Sequence, residues 1–168
     1  GTVENIIKSF HKFAQLTSKA VIYNGSDANT CKAMEGIDGK ERITFGKTAD
    51  CDYYPMDIRH VSGLETHFQL MHHGASLGEI VLHVAGEHNV LNATAAAAAA
   101  MYVGVSFEDV AKGLAAFRGA GRRFEKKGEV NGITLVDDYA HHPTELTATL
   151  KAAMAMPFRQ VWAVFHPF

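Results

Sequence analysis

Apolar residues in VENIIKSFHKFAQL fall at Val3, Ile6, Ile7, Phe10, Phe13 and Leu16, at spacings of three and four, which predicts an amphipathic helix. The short β-prone run Lys19 to Tyr23 follows, and Asn24-Gly25-Ser26-Asp27 supplies a turn and an N-cap for a second helix over 28–34. After a strand at 42–45 the period changes to two. YYPMDIRHV, ETHFQLMHH and GEIVLHVAG read as a small antiparallel meander, broken at Ser62-Gly63 and over Gly74 to Gly78. The alanine-rich stretch from Glu87 to Tyr102 is helical by propensity and Gly104 stops it, and Ser106 with Asp109 three residues later opens a further helix.

The pattern breaks at FRGAGRRFEKKGEV, where glycines and basic residues crowd together, and this places a domain boundary near 119–121, dividing the chain into 1–120 and 121–168. Beyond it, Asn131-Gly132 suits a type I′ hairpin, Pro143 suits the first position of a helix running to about Ala155, and QVWAVF reads as an apolar strand. The expected fold class is α/β: a partial doubly wound domain with an antiparallel meander, then the first β-α-β part of a Rossmann-like domain. A parallel strand at 160–165 requires neighbours that the chain does not supply, so the sequence is expected to be a piece of a longer protein.

Composition narrows the classes. With 47% hydrophobic and 20% charged residues, the chain is globular rather than disordered. A formal charge of -2 gives no basic footprint for nucleic acid or an anionic membrane. No apolar run reaches the roughly 20 residues of a membrane span. Cys31 and Cys51 lack a metal-site spacing and read as reduced thiols, which points to the cytoplasm.

Three stretches carry candidate chemistry. In GEHNVLNATAAAAAAMYVG, Asn89 and Asn92 share a helix face beside His88, where paired amides offer a donor and an acceptor to a purine edge; simple capping is the alternative. Arg122 and Arg123 lie at the boundary, where a guanidinium can clamp phosphate; the alternative is a solvated basic linker. In DDYAHHP, from Asp137 to Pro143, acidic and aromatic groups follow an apolar strand and precede a helix, the place where open α/β sheets bind ligands. There an aspartate can accept from a ribose diol, while tyrosine and histidine can contact an anionic substrate. A turn with an aspartate cap, or a metal site built from Asp137, Asp138, His141 and His142, are the competing readings. Gly46-Lys47-Thr48 only imitates a phosphate loop, since Glu41 occupies the position of the required glycine. His60, His67, His72, His73 and His83 have no metal spacing and read mostly as surface residues.

In this order and spacing, GEHNVLNA, RRF and DDYAHHPTE resemble the Mur ligases of peptidoglycan synthesis over essentially the whole chain. The resemblance implies the second half of that family's central ATP-binding domain and the start of its C-terminal domain. It implies that His88, Asn89 and Asn92 meet the adenine, that Arg123 approaches the ATP phosphates, and that Asp138 meets the ribose. It places Tyr139 and His141 where a muramyl substrate meets the incoming amino acid, with Arg123 and His141 as the catalytic candidates. The implied reaction joins L-alanine to UDP-N-acetylmuramate at the expense of ATP, with Mg²⁺ ligands outside these residues. A ligase attaching a tripeptide, a metal-dependent hydrolase and a non-catalytic nucleotide-binding module remain as alternatives. The chain departs from the family pattern at His166 and Phe168, which affects the amino-acid pocket.

Overall fold

Thr2 accepts the backbone N–H of Asn5 through Oγ1 and so opens helix α1 (Val3–Leu16). The computed structural model describes residues 2–62 and 64–166; Gly63 of the expected Ser62-Gly63 break, and Phe168 of the departure at the chain end, lie outside the described residues. The end of α1 is closed by a distant side chain. Lys40 Nζ donates to the carbonyls of Ala14, Gln15 and Thr17 at 2.8, 2.7 and 2.6 Å, placing a cation on the negative end of the helix. Lys40→Met is therefore expected to cost about 1–3 kcal/mol, because it leaves helix-terminal carbonyls without their charged donor. Urea denaturation of the chain checks it, and an unchanged midpoint would count against the cap.

Strand β1 (Ala20–Asn24) leads to the short helix α2 (Ala28–Ala33), whose first turn is capped by Asp27 Oδ1 accepting from Thr30 N at 2.7 Å. Strands β2 (Glu41–Phe45), β3 (Tyr53–Ser62), β4 (Glu65–His72) and β5 (Ala75–Leu82) complete a five-stranded sheet in the order β1-β2-β3-β4-β5. Its first two junctions are parallel and its last two antiparallel, so the expected parallel start and antiparallel meander are one continuous sheet.

Both faces of the parallel part are covered. Val21 packs with Ala14, Ala33, Met34 and Ile37 on the side of α1 and α2, and Tyr23 lies against that cluster. On the other side, helix α3 (Glu87–Tyr102) presents Val90, Ala93, Ala97 and Ala98 to a core that runs from Ile22 and Ile43 of the parallel strands to Phe68, Leu70, Ile80 and Leu82 of the antiparallel ones. The alternation in β4 up to Leu70 explains this core: Thr66, Phe68 and Leu70 are buried, while His67 and Gln69 are not, and it breaks only at the register shift where Met71 is buried beside Leu70. Alanines on α3 allow the helix to approach the sheet closely. Helix α4 (Phe107–Ala116), capped by Ser106, continues this layer. Phe107 lies so close to Gly78 that a Cβ there would come within 2.4 Å of its ring, so only glycine fits.

The outer face of the meander carries charge. His67 Nε2 lies 2.9 Å from Glu65 Oε1 and its Nδ1 3.3 Å from Glu79 Oε2, while Arg59 also pairs with Glu79 and His83 stands 3.7 Å from Glu65. Hydrogen bonding to Glu65, ahead of the contribution of Glu79, raises the His67 pKa above its ordinary value. Its contribution to stability is therefore fully present below the ordinary histidine pKa and is lost as pH rises through the raised value. We expect His67→Gln to flatten that part of the stability–pH curve, and a curve identical to that of the parent chain would remove the imidazolium from this network.

After α4 the chain enters β6 (Glu125–Val130) and β7 (Ile133–Asp137), an antiparallel pair turning at Asn131 and Gly132, whose φ values of 51° and 77° fit the type I′ turn. Helix α5 (Pro143–Met154) follows, with proline at its first position. The strand expected at 160–165 does not form. Among the described residues this segment has no strand beside it, and Trp162 and Val164 stand in solvent. The apolar stripe of α1 is also uncovered: Ile6, Phe10, Phe13 and Leu16 are exposed and only Ala14 is buried. Among the described residues no helix is long and apolar enough to cross a membrane.

Candidate functional site

The connector between α4 and β6 is held against the loop between β7 and α5. Arg122 and Phe124 both adopt left-handed backbone, at φ 57° and 50°, which is costly for residues with side chains. Hydrogen bonds to the loop sustain it. Tyr139 N donates to Arg122 O at 2.8 Å, and Phe124 N donates to Asp138 Oδ2 at 2.8 Å. The second oxygen of Asp138 accepts from Ala140 N at 2.7 Å, so one carboxylate fixes both the loop and its approach to the connector.

The twisted backbone sends the two arginines to different partners. Arg122 Nε lies 3.6 Å from Asp137 Oδ2, and its guanidinium sits 4.4 Å over the Tyr139 ring, a cation–π arrangement. Arg123 Nη1 instead lies 3.5 Å from Glu145 Oε1. The Tyr139 and His141 rings are 5.3 Å apart and tilted by 58°, and His141 Nδ1 is 3.0 Å from Tyr139 O.

His88 enters this cluster from the start of α3. The residue is exposed, yet partial burial of its ring lowers the imidazole pKa, opposed by the Asp138 carboxylate and helped by the Arg123 guanidinium. The ring folds back over Gly86, where φ is 93° and a Cβ would fall 2.6 Å from His88 Cε1. A Cβ at Gly86 would also meet Ala152 of α5 at 3.7 Å, so the second helix of the site abuts the first. Asn89 and Asn92 do not cap α3; the N-cap is Gly86. Asn89 Nδ2 donates to Ala85 O at 2.6 Å and its Oδ1 accepts from Asn92 Nδ2 at 3.3 Å, and Asn92 itself is exposed.

Neither aspartate caps α5. His142 is the N-cap, accepting from Thr144 N through Nδ1 at 3.4 Å, and Glu145 returns the bond to the His142 amide at 3.3 Å in a capping box. Glu145 is the site residue that the motif reading missed, although its spacing from His142 is the signature of such a box. The amides of His141 and His142, ahead of the nearby His141 and Arg123 charges, lower its pKa. Asp138 and His142 are thus engaged with backbone, and among the described residues no three His, Cys, Asp or Glu side chains converge as metal ligands. That geometry weighs against the metal-site reading of the loop.

Comparison with known proteins places both halves of the chain in one group. Residues 1–100 match the family described as the Mur ligase middle domain, and residues 122–167 match the Mur ligase, glutamate ligase domain. A UDP-N-acetylmuramate--L-alanine ligase of Salinibacter ruber is 47% identical over 142 residues, covering 84% of this chain and 30% of that protein. One from Agathobacter rectalis is 40% identical over 98% of this chain and 36% of its own length. Among solved structures, UDP-N-acetylmuramate-alanine ligase of Thermotoga maritima superposes with a TM-score of 0.75 at 29% identity, over 91% of this chain and 34% of that one. MurF of Acinetobacter baumannii gives 0.78 at 28% identity over 90% and 33%. The chain spans about a third of the length of these relatives.

Proposed function

The chain belongs to the Mur ligase family, and from that premise we propose that it is a segment of an ATP-dependent ligase joining L-alanine to UDP-N-acetylmuramate in peptidoglycan synthesis. In this reading residues 1–120 are part of the central nucleotide-binding domain and 121–168 begin the C-terminal domain. The open edge of β1 and the uncovered stripe of α1 support a larger domain around them. The observation that carries the reading is that the start of α3, which bears His88, abuts α5 at Gly86 and Ala152, while Asp138 ties the connector bearing Arg123 to the loop before α5, so donors and acceptors suited to a nucleotide from two matched regions lie on one side.

The donor set fits ATP. The Asn89–Asn92 amide pair, with His88 beside it, takes the adenine edge; the Arg123 guanidinium takes phosphate oxygens; and Asp138, whose oxygens each retain acceptor capacity beside their amide bonds, takes the ribose diol. Mg²⁺ belongs to the expected chemistry of the family, but no ligand set for it lies among the described residues. Transfer of the γ-phosphoryl group to the lactyl carboxylate forms an acyl phosphate. The amine of L-alanine then attacks the acyl carbon, and inorganic phosphate leaves from the tetrahedral intermediate. Both steps gather negative charge on oxygen, which Arg123 offsets. Tyr139 and His141, held together on the loop, face the acyl acceptor, and small molecules in the cytoplasm are the only partners this scheme requires.

Phosphate release by the full-length ligase tests the reading. It should require UDP-N-acetylmuramate, L-alanine and ATP together, and turnover with a tripeptide in place of L-alanine would transfer the chain to the tripeptide-attaching class. Asn92→Ala in that protein should raise the KM for ATP by a factor corresponding to about 1–2 kcal/mol with little change in melting temperature. An unchanged KM with a clearly lower melting temperature would reduce the amide pair to a structural role.

A further inference from the structure

Glu145 touches both ends of the cluster at once. Its Oε2 accepts from the amides of His141 and His142, each at 3.3 Å, and its Oε1 lies 3.5 Å from Arg123 Nη1. A capping box needs one oxygen, and a glutamine at this position would serve it equally well. The second oxygen faces a guanidinium 22 residues earlier in the chain, across the connector, while the first also stands 3.7 Å from the His141 ring.

We propose, building on the assignment of Arg123 to the phosphates, that Glu145 is a positioning residue that sets the direction of the Arg123 guanidinium relative to the loop bearing Tyr139 and His141. The neighbouring arginine shows why such a residue is needed. Arg122 is occupied by Asp137 and the Tyr139 ring, and the left-handed backbone on either side of Arg123 turns its side chain away from those groups. Glu145 is the carboxylate that meets it there. The pair is half-exposed, at 53% and 38% of the side-chain surface, so it adds little to stability. What it supplies is orientation: the carboxylate fixes a phosphate-binding cation to the same helix terminus that fixes the acceptor-side loop, so the two ends of the reaction keep one geometry.

A double-mutant cycle in the full-length ligase tests this, with kcat and the KM for ATP read from phosphate release and the melting temperature read in parallel. Glu145→Gln retains the capping bond and removes the charge, so it should leave the melting temperature nearly unchanged and lower kcat/KM for ATP roughly tenfold, within the range of coupling between contacting groups. In the Arg123→Ala background the same change should have almost no further effect. If Glu145→Gln leaves the kinetics unaltered while Arg123→Ala impairs them, the positioning role fails and the phosphate assignment stands. If the losses multiply independently, the Glu145 charge acts through a group other than Arg123, such as the His141 ring 3.7 Å from Oε2, which again overturns the role. If Arg123→Ala itself leaves ATP use intact, the assignment of Arg123 falls and this inference falls with it.

Discussion

Phe68→Ala is expected to destabilise the chain by about 3–5 kcal/mol, the usual cost of truncating a large buried side chain and leaving a cavity. Phe68 is fully buried on β4, packed among Leu70, Ile80, Leu82 and Val90 beneath the alanines of α3. Those alanines have no rotatable side chains with which to fill the hole, and the β-strand backbone restricts collapse around it. Phe10 provides the contrast. It lies on the uncovered stripe of α1, 57% exposed, and Phe10→Ala should change stability by less than about 0.5 kcal/mol. Equilibrium urea unfolding of both variants measures the difference, and equal effects at the two positions would mean that α3 does not seal the sheet as described.

The second large effect is expected at Asp138. Asp138→Ala removes the acceptor for two backbone amides, Phe124 N and Ala140 N, and each charge-assisted bond of this kind is worth about 1.5–3 kcal/mol. Its loss should release the connector from the loop as well as removing the proposed ribose contact, raising the KM for ATP in the full-length ligase on the order of a hundredfold. Asp138→Asn keeps one acceptor oxygen and should fall between the two. His141→Ala should behave differently, impairing use of L-alanine or the muramyl substrate while leaving the KM for ATP nearly intact. If both positions lower only the melting temperature, the loop is a turn preceding a helix and its polar density serves structure alone.

The two sites show where the sequence could be read and where it could not. Alternation across Thr66, Phe68 and Leu70 announces the buried face of β4 because side chains in a strand change sides at every residue. The spacing of apolar residues in α1 announces a helix equally well, yet the same pattern gave no sign that Phe10 and Phe13 would remain exposed, since periodicity identifies a face and not what covers it. At the end of the chain the run QVWAVF has strand composition but no strand conformation among the described residues, because β-structure needs a hydrogen-bonded neighbour that local preference cannot provide.

In the candidate site the motifs marked which segments carry polar chemistry, but their contacts were assigned only by the fold. Asparagines 89 and 92 look like caps and instead bond to Ala85 and to each other, because Gly86 with its positive φ already begins the helix. Asp138 looks like a cap for α5, but His142 and Glu145 perform that task and free Asp138 to grip the connector. What the sequence alone determined is local: helix and strand periods, the Asn131-Gly132 turn and the proline at the start of α5, all set by interactions over a few residues. The tertiary structure decided which cation caps α1, how Asp138 and Glu145 hold the connector, and that the start of α3 abuts α5, because those contacts join residues 14 or more positions apart, and chain path rather than neighbouring residue type brings such groups together.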